Sequence, residues 1–160
     1  SVFCACMRDA INILGGLDIL INNASVINET DFVKAIDVNV VSSCIPLIDS
    51  GGKGGVVLNV SSIAGLCALP KLPVYSTTKH AVVNFSRSFA VCICSFNLHF
   101  ARSFFFSFTI VQSVAHGLIY AIRCAQNGSI WISEQGKPVY EVQLSDSLPQ
   151  KTDQPEEQQS

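Results

Sequence analysis

The sequence predicts an α/β protein in which a parallel sheet is covered by helices. Two observations carry that expectation. Short apolar runs ending in polar residues alternate with segments of helical periodicity, the pattern of strand–helix–strand units. The 160-residue chain is also 49% apolar and only 14% charged, which suits one buried mixed core and argues against a coiled coil or a disordered protein.

Residues 17–24, LDILINNA, form an apolar run closed by asparagines, as in a buried parallel strand. Over 29–47, Phe32, Val33, Ile36, Val40 and Cys44 recur at three and four, with Asp31, Lys34 and Asp37 on other faces, so this segment is expected to be a helix. GGKGG at 51–55 reads as a loop, VVLNVSS at 56–62 as a second buried strand, and YSTTKHAVVNFSRSFAV as a long helix from about Val74. Later, QSVAHGLIYAIRCA is a candidate amphipathic helix ended by Asn127-Gly128, and SIWIS at 129–133 a further strand. From Leu144 the chain turns polar and rich in Pro, Gln and Glu. The expected organisation is therefore one domain over 1–143 and a disordered tail over 144–160.

Residues 91–110, crowded with Phe and Cys, have neither clear period nor turn chemistry. The 20 uncharged residues from 103 to 122 are long enough to span a membrane, but Ser103, Ser107, Thr109, Gln112, Ser113 and His116 interrupt them and disfavour that reading. A net charge of −2 provides no basic surface for nucleic acid. The seven cysteines are odd in number, with no Cys-x-x-Cys and no neighbouring His, so reduced core cysteines are expected instead of disulfides or a metal site. Asn23 and Asn59 are expected within buried strands.

The chemistry concentrates in VYSTTKH, where Tyr75 and Lys79 stand four residues apart, on one face of the expected helix. A free tyrosine titrates near 10, too high for a base at neutral pH, and a nearby ammonium favours the phenolate. Ser62 ends a strand, Asn23 ends the earlier strand, and Asn39 lies in the helix between them. Carboxyl ends of strands are where open α/β sheets bind ligands. Taken singly, Asn39 reads as a helix asparagine bonded to a strand, Ser62 as a turn residue and Tyr75 as a half-buried aromatic. Their order and company favour a site.

The succession NNAS, AIDVN, LNVSSIAG, YSTTK resembles the short-chain dehydrogenase/reductase family, NAD(P)-dependent oxidoreductases on a Rossmann fold. The branch it is most similar to is that of insect alcohol dehydrogenases and 15-hydroxyprostaglandin dehydrogenases. The resemblance covers about 15–90 and 110–143 and implies a partial Rossmann-type doubly wound parallel sheet lacking its first strands. It implies that Tyr75 takes the proton of a secondary alcohol or prostaglandin-like hydroxyl, that Lys79 binds the nicotinamide ribose, and that Ser62 orients the substrate oxygen. Asn39 would hold a water relaying protons from Lys79. Asn23, Ala24 and the backbone near Val60 would line an NAD cofactor beside Tyr75 and Lys79. Leu72, three before Tyr75 and apolar where prostaglandin-oxidising relatives carry glutamine, would face a smaller or more apolar alcohol. A cytoplasmic homodimer through helices at about 29–50 and 74–90 is also implied.

The pattern departs from the family in three places. No Gly-x-x-x-Gly-x-Gly turn is present, since ILGGLDIL has adjacent glycines ahead of a strand. Residues 91–110 contain no Pro-Gly, and Ser25 replaces the usual glycine of NNAG. An exon boundary error or retained intron would account for the first two. Without a first strand, LDILINNA is expected to become an exposed edge, and the chain as written to bind NAD weakly and turn over little. Two other readings are a non-catalytic chain that pairs with an intact relative, and a membrane protein using 103–122.

Overall fold

The computed structural model describes residues 2–42, 55–94, 101–107, 111–134 and 137–145. Helix α1 (Val2–Leu14), absent from the sequence expectations, ends where Gly15 takes φ +75 and returns its N–H to Ile11 O at 2.9 Å. Strand β1 (Ile19–Asn22) follows.

Helix α2 (Phe32–Ile36) starts three residues later than its periodicity suggests. Asn28 Oδ1 accepts the N–H groups of Thr30 and Asp31 in a turn, and Asp31 then caps the helix by accepting Lys34 N–H at 3.0 Å. The helix continues as a π-helical turn over Asp37–Val41, which no hydrophobic pattern announces. The rest of its expected span, 43–47, lies outside the described residues.

Strand β2 (Val56–Val60), a 3-10 turn (Ile63–Gly65) and helix α3 (Pro73–Cys94) match the expected strand and long helix, with Pro73 in the first helical position. Within the patternless region, 91–94 form the end of α3 and Ala101–Ser107 form strand β3, while 95–100 and 108–110 lie outside the described residues. Helix α4 (Val111–Cys124) and strand β4 (Ile130–Glu134) fall within a residue of expectation. Strand β5 (Tyr140–Val142) was not anticipated. Of residues 103–122, 103–107 lie in β3 and 111–122 in α4, and among the described residues no helix is long and apolar enough to cross a membrane.

The sheet runs β1-β2-β3-β4-β5, parallel except for antiparallel β5, in the register Ile21 beside Leu58 and Ile130 beside Val142. Helices cover both faces. On one, α4 packs Ala121 and Ala125 against Leu58 and Val60; on the other, α3 sets Val83 against Ile130 and Ile132. Leu144 joins this second cluster and its carbonyl accepts from Arg87, so the ordered domain reaches into the start of the expected tail. Residues 146–160 of that tail lie outside the described residues. As expected, β1 is an edge strand, with Ile19 45% and Ile21 42% exposed.

Two expectations are corrected. Asn59 is fully buried in β2, but Asn23 lies one residue beyond β1 and is exposed, because the strand ends at Asn22. Cys6, Cys67 and Cys124 are free and exposed rather than core residues, their positions falling on outward faces and a loop.

Candidate active site

The carboxyl ends of β1 and β2 meet the amino end of α3. Along α3, Tyr75, Thr78, Lys79, Val82 and Ser86 repeat at helical spacing and are all buried, so the face turned inward is unusually polar. Such a face persists only where each polar group finds a partner. Lys79 is 2% exposed; its Nζ donates to Val60 O at 3.2 Å and lies 5.5 Å from the centroid of the Tyr75 ring. Burial pulls the Lys79 amine down to about 8.

Ser62, which follows β2, has extended backbone and is buried, and its Oγ accepts Ala64 N–H at 3.3 Å to open the 3-10 turn. Gly65 closes that turn against α3. A Cβ there would stand 2.7 Å from both Lys79 O and Ser61 Oγ, so only glycine permits this approach. Ser61 Oγ in turn donates to Lys79 O at 3.1 Å, tying the end of β2 to the helix.

Asn39, 1% exposed, sits in the π-helical turn rather than in the regular helix expected for it. Its Oδ1 accepts Val26 N–H at 2.8 Å, and its Nδ2 donates to Val26 O at 2.9 Å and to Thr78 Oγ1 at 3.0 Å. Thr78 Oγ1 donates onward to Tyr75 O at 2.8 Å. Asn39 is therefore two hydrogen bonds from the backbone of Tyr75. Asn23 and Ala24 are exposed just past β1, Val60 is buried under Lys79, and Leu72 is half-buried one residue before α3.

Several partners escaped the sequence reading. Glu29 accepts the N–H groups of Val74 and Tyr75, each at 2.9 Å, with its two carboxylate oxygens. The available signal was a long helix opening on Leu-Pro-Val, with no Ser, Thr, Asp or Asn before it to cap it. Asn22 Nδ2 donates to Asn59 Oδ1, and Asn59 Nδ2 to Ser86 Oγ, each at 2.8 Å, forming a buried polar bridge from β1 through β2 to α3. Thr78, Ser61 and Gly65 complete the set.

A nicotinamide cofactor fits one end of this site. Among the described residues Nζ of Lys79 has a single partner, so two of its donors are unused and suit hydroxyls such as those of a ribose, which would have to open a side chain that is 2% exposed. The phosphate end finds no equivalent in 2–42 or 55–94. Gly15 and Gly16 follow the carboxyl end of α1, where the helix dipole is negative, and are open, with nothing within 4 Å of an added Cβ. Among the described residues no group of three or more His, Cys, Asp or Glu side chains could hold a metal ion.

The family model described as short chain dehydrogenase matches residues 3–98. Human 15-hydroxyprostaglandin dehydrogenase [NAD(+)] is 39% identical, over 52% of this chain and 35% of that protein; the mouse protein is 37% identical, over 52% and 34%. The chain thus spans about a third of the length of the curated relatives it matches. Among solved structures, 4-hydroxyisoleucine dehydrogenase complexed with NADH superposes with a TM-score of 0.70 at 20% identity, over 82% of this chain and 74% of that one, a likeness of fold. A short chain dehydrogenase from Mycobacterium paratuberculosis bound to NAD gives 0.58 at 29% identity, over 67% and 44%.

Proposed function

Because the chain belongs to the short-chain dehydrogenase family, we propose that it carries the acid–base half of an NAD-dependent oxidoreductase for secondary alcohols or prostaglandin-like hydroxyls. The observation behind this reading is the buried Lys79 amine 5.5 Å from the Tyr75 ring, beside the strand end that bears Ser62. Tyr75 receives the hydroxyl proton of the alcohol. Ser62 holds the substrate oxygen, and Lys79, across from the Tyr75 ring, hydrogen-bonds ribose hydroxyls. The nicotinamide, when bound, accepts the hydride from the alcohol carbon. Asn39 fixes Thr78 and Val26 and with them the path along which a proton leaves Lys79. Asn23, Ala24 and Val60 border the cofactor, and half-buried Leu72 inclines the substrate pocket towards apolar alcohols.

The 160-residue chain by itself is a weak enzyme in this reading. Its sequence contains no glycine-rich turn opening a helix for the pyrophosphate, and β1 is an open edge. A cytoplasmic homodimer through α2 and α3 is part of the proposal, favoured by the exposed stripe Phe32, Val33, Ile36 and Val41. The same stripe favours a second reading, a non-catalytic chain that pairs with an intact relative. The test is a panel of secondary alcohols, including a 15-hydroxyprostaglandin, incubated with NAD⁺ or NADP⁺ and followed by reduced-nicotinamide fluorescence and mass analysis of the ketone. Slow ketone formation with NAD⁺ supports the enzyme. No ketone from any member, together with assembly onto an intact relative, supports the second reading.

A further inference from the structure

The loop between β1 and α2 is tied to the first turn of α3 at two points. Asn39 grips Val26 by both its N–H and its C=O and passes the connection through Thr78 to the carbonyl of Tyr75. Three residues beyond Val26, the Glu29 carboxylate takes the N–H groups of Val74 and Tyr75, two donors that have no partner inside the helix. The Tyr75 N–H is thus held from the loop that begins with Asn23 and Ala24, while its C=O accepts from Thr78 of the same helix, which Asn39 links to Val26 of that loop. A charged carboxylate at a helix amino end gains from the macrodipole as well as from the two bonds. Capping alone could be met by a local serine or aspartate before Pro73. A tether reaching across 45 residues of sequence instead fixes where the turn sits relative to the sheet.

We propose that Glu29 is the positioning residue of this site, holding the first turn of α3 so that the Tyr75 ring stays across the Lys79 amine. This rests on the reading of Tyr75 and Lys79 as the working pair, but its test involves no turnover. The ring and the amine are 5.5 Å apart, and Lys79 is sealed to 2% exposure while one of its three donors is used. Releasing the turn lets water reach the amine, whereas a cap with no positioning role leaves the amine sealed.

The experiment labels the lysine ε-carbons of the full chain with carbon-13 and follows the Lys79 resonance, assigned by Lys79→Met, as pH rises. In the parent chain the midpoint is expected at about 8, because burial lowers it. In Glu29→Gln, which keeps one acceptor and loses the charge, the midpoint is expected to rise toward 10.5, with return to the parent value in Glu29→Asp. Loss of a negative charge alone would move an ammonium's midpoint down, so the sign separates positioning from electrostatics. An unchanged or lowered midpoint overturns the proposal. If Glu29→Gln does not fold, amide exchange in the parent chain decides. Val74 and Tyr75 amides protected like those deeper in α3 support the tether, and free exchange at both overturns it. Absence of alcohol oxidation would instead count against the functional reading and leave these measurements unaffected.

Discussion

Lys79 lies across from Tyr75 with its Nζ 5.5 Å from the ring centroid, buried, and donating to the last carbonyl of β2. The four-residue spacing puts both on one helical face, but the strand end and the 3-10 turn make the contact a site. Gly65 lets the turn approach, and Ser61 bonds the helix backbone at Lys79 itself. Sealing an amine there has a thermodynamic consequence.

The folded chain holds Lys79 at about 8, against 10.5 for the ordinary side chain. Between those values the unfolded chain binds more protons at this position, so folding stability rises with pH across the window. The burial penalty is complete below pH 8 and vanishes above 10.5. Lys79→Met should therefore be the more stable chain at neutral pH, with its advantage shrinking by about 3 kcal/mol from about pH 7 to about pH 11. Denaturant titrations of both chains at the two pH values check this. A constant difference would show that the amine is not sealed.

Gly65→Ala places a methyl 2.7 Å from Lys79 O and Ser61 Oγ. The backbone must shift, at a cost of about 1–3 kcal/mol, and the Ser61–Lys79 bond should open. Thermal unfolding measures the loss. Parent-like stability would mean that the turn and α3 are not in this contact.

Asn39→Ala removes three hydrogen bonds and leaves Val26 N–H without its acceptor. A loss of about 1–3 kcal/mol is expected for each buried group stranded. Amide exchange at Val26 should accelerate while Val83, in the α3 core cluster, stays protected. Equal acceleration at both would point to global unfolding and contradict a local clamp.

The outline of this fold was legible because its buried strands are unmixed apolar runs and α3 keeps a strict helical period. What stayed hidden has physical causes. β3 lies inside the sheet between β2 and β4, so no polar alternation marks it out of the Phe-rich run. β5 is three residues long and pairs antiparallel with β4, with Gly136 and Pro138 as the local signals of a turn. The π-helical turn leaves the spacing of Phe32, Val33 and Ile36 intact, so periodicity cannot report it. In the site, Tyr75, Lys79, Ser62 and Asn39 stood out by order and type. Glu29 did not, because its partners are backbone amides 45 and 46 residues away and no side-chain pattern encodes them.

The edge strand provides another test. Ile19 and Ile21 are exposed on β1, which has no Lys or Pro to discourage pairing. Ile21→Lys should lower self-association of the chain in light scattering, with the fold retained. Unchanged association would place it elsewhere, the α2 stripe being the next surface to alter.

Whether Tyr75 and Lys79 form a working acid–base pair is decided by comparing the parent chain with Tyr75→Phe. Both are incubated at high protein concentration with saturating NAD⁺ and a secondary alcohol, and reduced nicotinamide is followed by fluorescence. Slow formation by the parent is expected, with a loss of about 100-fold or more in Tyr75→Phe and folding unchanged by circular dichroism. Equal rates in the two chains, or none in either, would contradict that expectation.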